Sequence, residues 1–114
     1  MIRKIFINQG KFTGRELNGL LPNLYLRKKI KKNMIMNGFE YKIGTNKDIN
    51  NFDTTRTCSK VGFYFSNEKY INRFCDEHYG FDIYEVKIPN EAQVYLEDFD
   101  KGKTDMIEII RKVN

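Results

Sequence analysis

Short runs rich in β-branched and aromatic residues, two stretches with helix-capping signals and helical apolar spacing, and Asn, Gly and Pro punctuation close enough to reverse the chain predict an α+β fold. The expected architecture is a mainly antiparallel twisted sheet with two or three helices. With 114 residues and 13.6 kDa the chain has material for one core, so 1–114 is read as a single domain. A composition of 40% hydrophobic and 31% charged residues favours folding over disorder.

The elements follow in order. Ile2, Ile5, Phe6 and Ile7 make a short apolar run and predict a first strand over 2–7. Thr13-Gly14-Arg15-Glu16 matches a capping box, in which hydroxyl and carboxylate satisfy orphan backbone amides; Leu17, Leu20 and Leu21 follow, and Pro22 ends the helix. In 23–32, Leu24, Leu26 and Ile30 stand among cations that suit a second helix. Asn37-Gly38 is the preferred pair for a two-residue hairpin loop, and Phe39, Tyr41 and Ile43 alternate with Glu40 and Lys42, so 34–43 is read as a hairpin or tight reversal. Residues 44–60 are almost wholly polar and are read as a long loop.

Val61-Gly62-Phe63-Tyr64-Phe65 predicts an aromatic strand. Ser66 is a good N-cap for a helix over 67–79, whose Tyr70, Ile71, Phe74, Cys75 and His78 share a face before Gly80. A strand carrying Ile83, Val86 and Ile88, a turn at Pro89-Asn90, a strand over 93–97 and a last strand holding Met106, Ile107, Ile109 and Ile110 complete the pattern.

Charge is uneven: residues 1–44 hold ten Lys/Arg against two acids, and residues 45–114 hold ten against thirteen. The densest run is Arg27, Lys28, Lys29, Lys31 and Lys32, which would attract phosphate, as of a nucleic acid, an acidic partner or an anionic membrane surface; a solvated helix face is the alternative reading. Cys58 and Cys75 have no spacing of a zinc site or disulfide scaffold, and His78 beside Cys75, Asp76 and Glu77 lies in no ligand pattern, so no metal is expected. The first eight residues turn polar too soon for a signal peptide, and no run is long and apolar enough for a bilayer. A cytoplasmic protein without a membrane partner is the expectation, in the host cytoplasm if the source is viral.

Asn37-Gly38-Phe39, Val61-Gly62-Phe63-Tyr64-Phe65-Ser66 and Tyr84-Glu85-Val86 occur in the order of corresponding segments of the ADP-ribosyltransferase fold of the histidine-tyrosine-glutamate kind, which the chain resembles over 34–90. That resemblance implies an NAD or ADP-ribose-type nucleotide as cofactor, with Tyr64 as nicotinamide platform and Gly62 and Ser66 beside the ligand. It implies Asn8 or Gln9 in place of the ribose-binding histidine that the first strand lacks, and Glu97 or Glu108 as the carboxylate stabilising an oxocarbenium-like transition state. Over 38–105 the chain is also similar to an uncharacterised domain of large DNA viruses and phages, through Gly38-Phe39-Glu40-Tyr41, Cys58, Gly62-Phe63-Tyr64-Phe65, Tyr79-Gly80, Ile88-Pro89, Ala92, Val94-Tyr95, Glu97, Lys101 or Lys103, and Asp105. The function these resemblances imply is a viral or phage-type accessory domain that binds NAD or a related adenine nucleotide, catalytic or degenerate. The alternative is a non-enzymatic viral protein that binds a host protein or nucleic acid through 27–32. Phe63, Tyr64 and Phe65 can equally be plain core, as aromatic strand residues usually are.

Overall fold

A computed structural model describes residues 10–20, 25–36, 38–48, 62–68, 71, 80–98 and 101–113. The described elements are β1 (Gly10–Thr13), α1 (Gly14–Leu20), β2 (Leu26–Lys31), β3 (Ile35–Met36), β4 (Phe39–Glu40), β5 (Gly44–Lys47), β6 (Phe63–Asn67), β7 (Phe81–Lys87), β8 (Gln93–Asp98), β9 (Lys101–Thr104) and β10 (Met106–Lys112). Eight strands form one sheet in the order β1-β8-β9-β6-β2-β7-β10-β5, antiparallel throughout, and β3 and β4 form a separate hairpin.

The expectation of an α+β fold with two or three helices is overturned: the fold is mostly antiparallel β, with one short helix among the described residues. The helix expected over 23–32 is strand β2. Leu26 and Ile30 are four apart, a spacing that places them on one side of a helix and equally on one side of a strand. The lysines between them tipped the reading toward helix, while pairing with β7 over six residues and with β6 over two decides for strand. Gly44–Lys47, expected as loop, is the strand β5 on β10. Ser66 and Asn67 extend β6, so Ser66 is not the expected N-cap. Ile71 is buried; the rest of the expected helix over 69–79, the first strand over 2–7, and Cys58, Cys75 and His78 lie outside the described residues.

Other signals have their structural counterparts. Thr13 N–H donates to Glu16 Oε1 at 2.9 Å and Glu16 N–H to Thr13 Oγ1 at 3.0 Å, the reciprocal pair of a capping box. A seven-residue helix is marginal alone, and α1 leans on the β7–β8 turn. Gly14 N–H donates to the Ala92 carbonyl at 2.8 Å, Arg15 N–H to that of Asn90 at 3.0 Å, and Asn18 Nδ2 to that of Ile88 at 2.8 Å. The approach is so close that a Cβ on residue 14 would collide with the Pro89 carbonyl, which accounts for glycine there. Gly38, with φ of 79°, follows Asn37 in the two-residue link between β3 and β4.

Strand parity sorts side chains inward and outward. Leu26, Ile30, Phe63, Phe65, Tyr84, Val86, Val94, Leu96, Ile107 and Ile109 come from both halves of the sheet and share one core with Leu17 of α1. A flat sheet of eight strands would be thin, whereas the molecule measures 32 × 29 × 24 Å, so the sheet curls around that core. Its two halves meet where β6 pairs with β2, over a ladder of only two residue pairs. Phe39, Tyr41 and Phe63 pack edge-on and tilted, with centroids 4.9 to 5.4 Å apart, and join the hairpin to the core.

Candidate functional site

The two segments that carried the functional expectations lie side by side, because β6 pairs with β2 through Arg27 opposite Ser66. On the outer side of β6, Tyr64 is half-buried and stands opposite Lys103 of β9. The ammonium groups of Lys101 and Lys103 each lie 5.9 Å from the Tyr64 ring centroid, within cation–π range. Lys103 stands in turn opposite Tyr95 of β8, and Tyr95 opposite Lys11 of β1. The register thus lays a row of Lys11, Tyr95, Lys103 and Tyr64 across four strands.

The same parity carries the outer side onto the other half of the sheet. Arg27, Lys29 and Lys31 alternate outward on β2, opposite Glu85, Ile83 and Phe81. Lys87 on β7, Arg111 on β10 and Lys47 on β5 continue the basic side; Glu85, Glu108 and, just past β6, Glu68 are acids whose side chains are described there. Arg111 Nε donates to Glu85 Oε1 at 2.8 Å and holds that carboxyl below its usual range. Arg27 lies 3.9 Å from Glu68 at the end of β6.

The basic run therefore does not act as one unit. Lys28 turns inward between Leu26 and Ile30, is only 4% exposed, and donates to the Tyr64 carbonyl at 2.6 Å, its ammonium 5.2 Å from the Tyr41 ring centroid. Burial pushes its pKa from 10.5 down to about 7. Lys29 is buried on the outer side, Lys31 is exposed, and Lys32, past the strand end, is bound to Asp82 at 2.8 Å. The expected solvated helix face is thus a strand with one lysine in the core.

The residues assigned by the nucleotide resemblance are only partly assembled. The Gly62 N–H is taken up by Asp48 Oδ2 at 2.6 Å, and Ser66 is fully buried. Glu108 lies on β10, three strands away from Tyr64 in the sheet order and opposite Lys87, several residues along the strand from the level of Tyr64. Glu97 falls in β8 with its side chain outside the described part, and Asn8 and Gln9 lie outside the described residues.

Sequence reasoning passed over Lys11, Tyr95, Lys101 and Lys103 as parts of one surface. The available signal was the two-residue spacing of Lys101 and Lys103 around Gly102, which puts both lysines on one side of a strand; Lys101-Gly-Lys-Thr lacks the apolar residues by which strands are recognised. Among the described residues no group of His, Cys, Asp and Glu is arranged to hold a metal, and no helix is long and apolar enough to cross a membrane. Comparison with protein-family models, with curated proteins and with solved structures finds nothing that matches this chain.

Proposed function

We propose that the protein binds the phosphates of a nucleic acid on the outer side of its curled sheet, through the cations that strand register leaves accessible there. The observation that carries this reading is the sorting of cations by strand register. Lys11, Arg27, Lys31, Lys87, Lys101 and Arg111, scattered through the sequence, come to one side together with two half-buried tyrosines, while the opposite side is core. The buried Lys29 and Lys103 add to the positive field behind that surface without having to touch a ligand.

Fluorescence anisotropy of a labelled oligonucleotide against salt concentration tests the reading. Each neutralised phosphate releases counterions, so log affinity should fall against log salt with a slope of roughly 0.7 to 0.9 per contact. Replacing Arg27, Lys31 and Lys101 together by Gln should flatten that slope by about two to three units. Lys28→Met should leave it unchanged, because that amine faces the core. Absence of binding at low salt would overturn the proposal.

Binding of NAD or an ADP-ribose-type nucleotide has one observation in its favour: a tyrosine ring flanked by two ammonium groups suits a base joined to a diphosphate. Calorimetric titration with NAD and ADP-ribose separates the two readings. Saturable dinucleotide binding that Tyr64→Ala removes, without oligonucleotide binding, would favour the nucleotide.

A further inference from the structure

We infer that Arg111 grips a backbone phosphate with its guanidinium fork and is oriented for that by Glu85, an inference that deepens the nucleic-acid reading above and rests on it. Backbone register supplies the first observation. Glu108 stands opposite Lys87 and Ile109 opposite Val86, but Arg111 rather than Ile110 stands opposite Glu85, so one extra residue bulges out of β10. In an unbroken ladder Ile110 would meet Glu85, and Arg111 would turn to the core side opposite Tyr84. The bulge therefore aims the arginine outward, a use that bulges have beside ligand sites.

The second observation is which nitrogen is engaged. Arg111 Nε donates to Glu85 Oε1 at 2.8 Å, and among the described residues Nη1 and Nη2 have no hydrogen-bonded acceptor. The Arg111 side chain is 70% exposed against 26% for Glu85, so the carboxylate holds the sheltered edge of the guanidinium while the rest of it faces water. Four N–H donors are left in a planar fork whose geometry matches two oxygens of one phosphate. The third observation is the distribution of charge along the strands. Lys31 ends β2, Lys32 follows it, and Lys112 follows Arg111; all three are exposed, and the last two share the carboxylate of Asp82. Glu68, whose N–H donates to the Tyr25 carbonyl ahead of β2, and Glu108, opposite Lys87, lie toward the other end of the same strands. The fork thus opens at the basic end of this half of the sheet, where a polyanion is drawn in.

The test measures oligonucleotide affinity and its salt slope by fluorescence anisotropy for four variants, with the melting temperature of each taken alongside. Arg111→Lys keeps the charge and loses the fork, and should weaken binding about fivefold with the slope unchanged. Arg111→Gln should weaken it further and flatten the slope by about one unit. Glu85→Gln and Glu85→Ala carry the same charge, but only glutamine keeps an oxygen for Nε, so the alanine variant should bind about threefold more weakly than the glutamine variant. Wild-type affinity in Arg111→Lys would make the residue a point charge and overturn the inference, leaving the phosphate reading intact. Equal affinity of the two Glu85 variants would overturn the positioning role, and early melting of Glu85→Ala would make the pair structural and overturn that role too. Absence of wild-type binding at low salt would overturn both the inference and the reading on which it rests.

Discussion

The two sides of β2 carry the same kind of residue to opposite fates. Arg27 and Lys31 point outward and keep their charge near solvent, whereas Lys28, between them in sequence, is enclosed with a carbonyl and an aromatic ring for company. Lys32, four residues on, shows the surface solution: its side chain is 63% exposed and paired with Asp82. A lysine run is thus not a unit of charge once it is a strand. Alternation divides it: Lys28, turned inward, has its proton affinity lowered by desolvation, while Arg27 and Lys31, turned outward, contribute to the electrostatic surface.

The largest effect should come from the inward side itself. Phe65 is fully buried in the shared core, and Phe65→Ala should cost about 3 to 5 kcal/mol by chemical denaturation; a loss under about 1 kcal/mol would break the division into two sides. Lys28 comes next. Its folded pKa of about 7 lies below the unfolded 10.5, so the unfolded chain binds the extra proton between those values and stability should rise with pH across that window. From pH 7 to 9.5 the gain should approach about 3 kcal/mol, near 1.4 kcal/mol per unit at most. Lys28→Met should abolish that dependence and be the more stable protein at pH 7; a wild-type curve that is flat over the window would place the amine in water. Above pH 10 the trend should reverse, because burial, followed by the charge of Asp48, raises the Tyr41 pKa and the unfolded chain then loses that proton first.

Smaller effects sharpen the contrast. Removing one arm of the capping box by Thr13→Ala should cost about 1 kcal/mol in thermal or chemical unfolding. On the outward side, Arg111→Gln breaks the pair with Glu85, yet the Arg111 side chain is 70% exposed and the cost should stay within about 1 kcal/mol. A larger loss would show that the outer ion pairs are structural rather than part of a surface open to ligands.

Where the sequence speaks through backbone chemistry it is legible. Thr13 with Glu16, Asn37-Gly38, and the alternating Val86, Ile88, Ile107 and Ile109 each announce a local conformation that few alternatives satisfy. Gly44-Thr-Asn-Lys and Lys101-Gly-Lys-Thr do not, since both are strands by virtue of the neighbours they pair with rather than their own composition. Asn46 illustrates the point: it is buried because its amide closes on the backbone of Lys42 and Gly44, a local bond no hydropathy pattern reveals. The candidate site was half legible for the same reason. Tyr64 and the run 27–32 stand out in the sequence, but their meeting, and the recruitment of Lys11, Tyr95 and the β9 lysines, depends on a strand order that only long-range pairing defines.

The close seat of α1 on the β7–β8 turn also makes a reporter of the helix. Its first amides are held by carbonyls far along the chain, Asn18 meeting Ile88 across 70 positions, so these bonds open only when the two ends of the chain part. In native-state hydrogen exchange the Gly14 and Arg15 amides should therefore be protected to nearly the same free energy as the slowest amides of β7, although they begin a seven-residue helix that would fray in isolation. Fast exchange there, with β7 still protected, would mean that the helix undocks by itself. Slow exchange would make the start of α1 a probe of closure of the entire sheet.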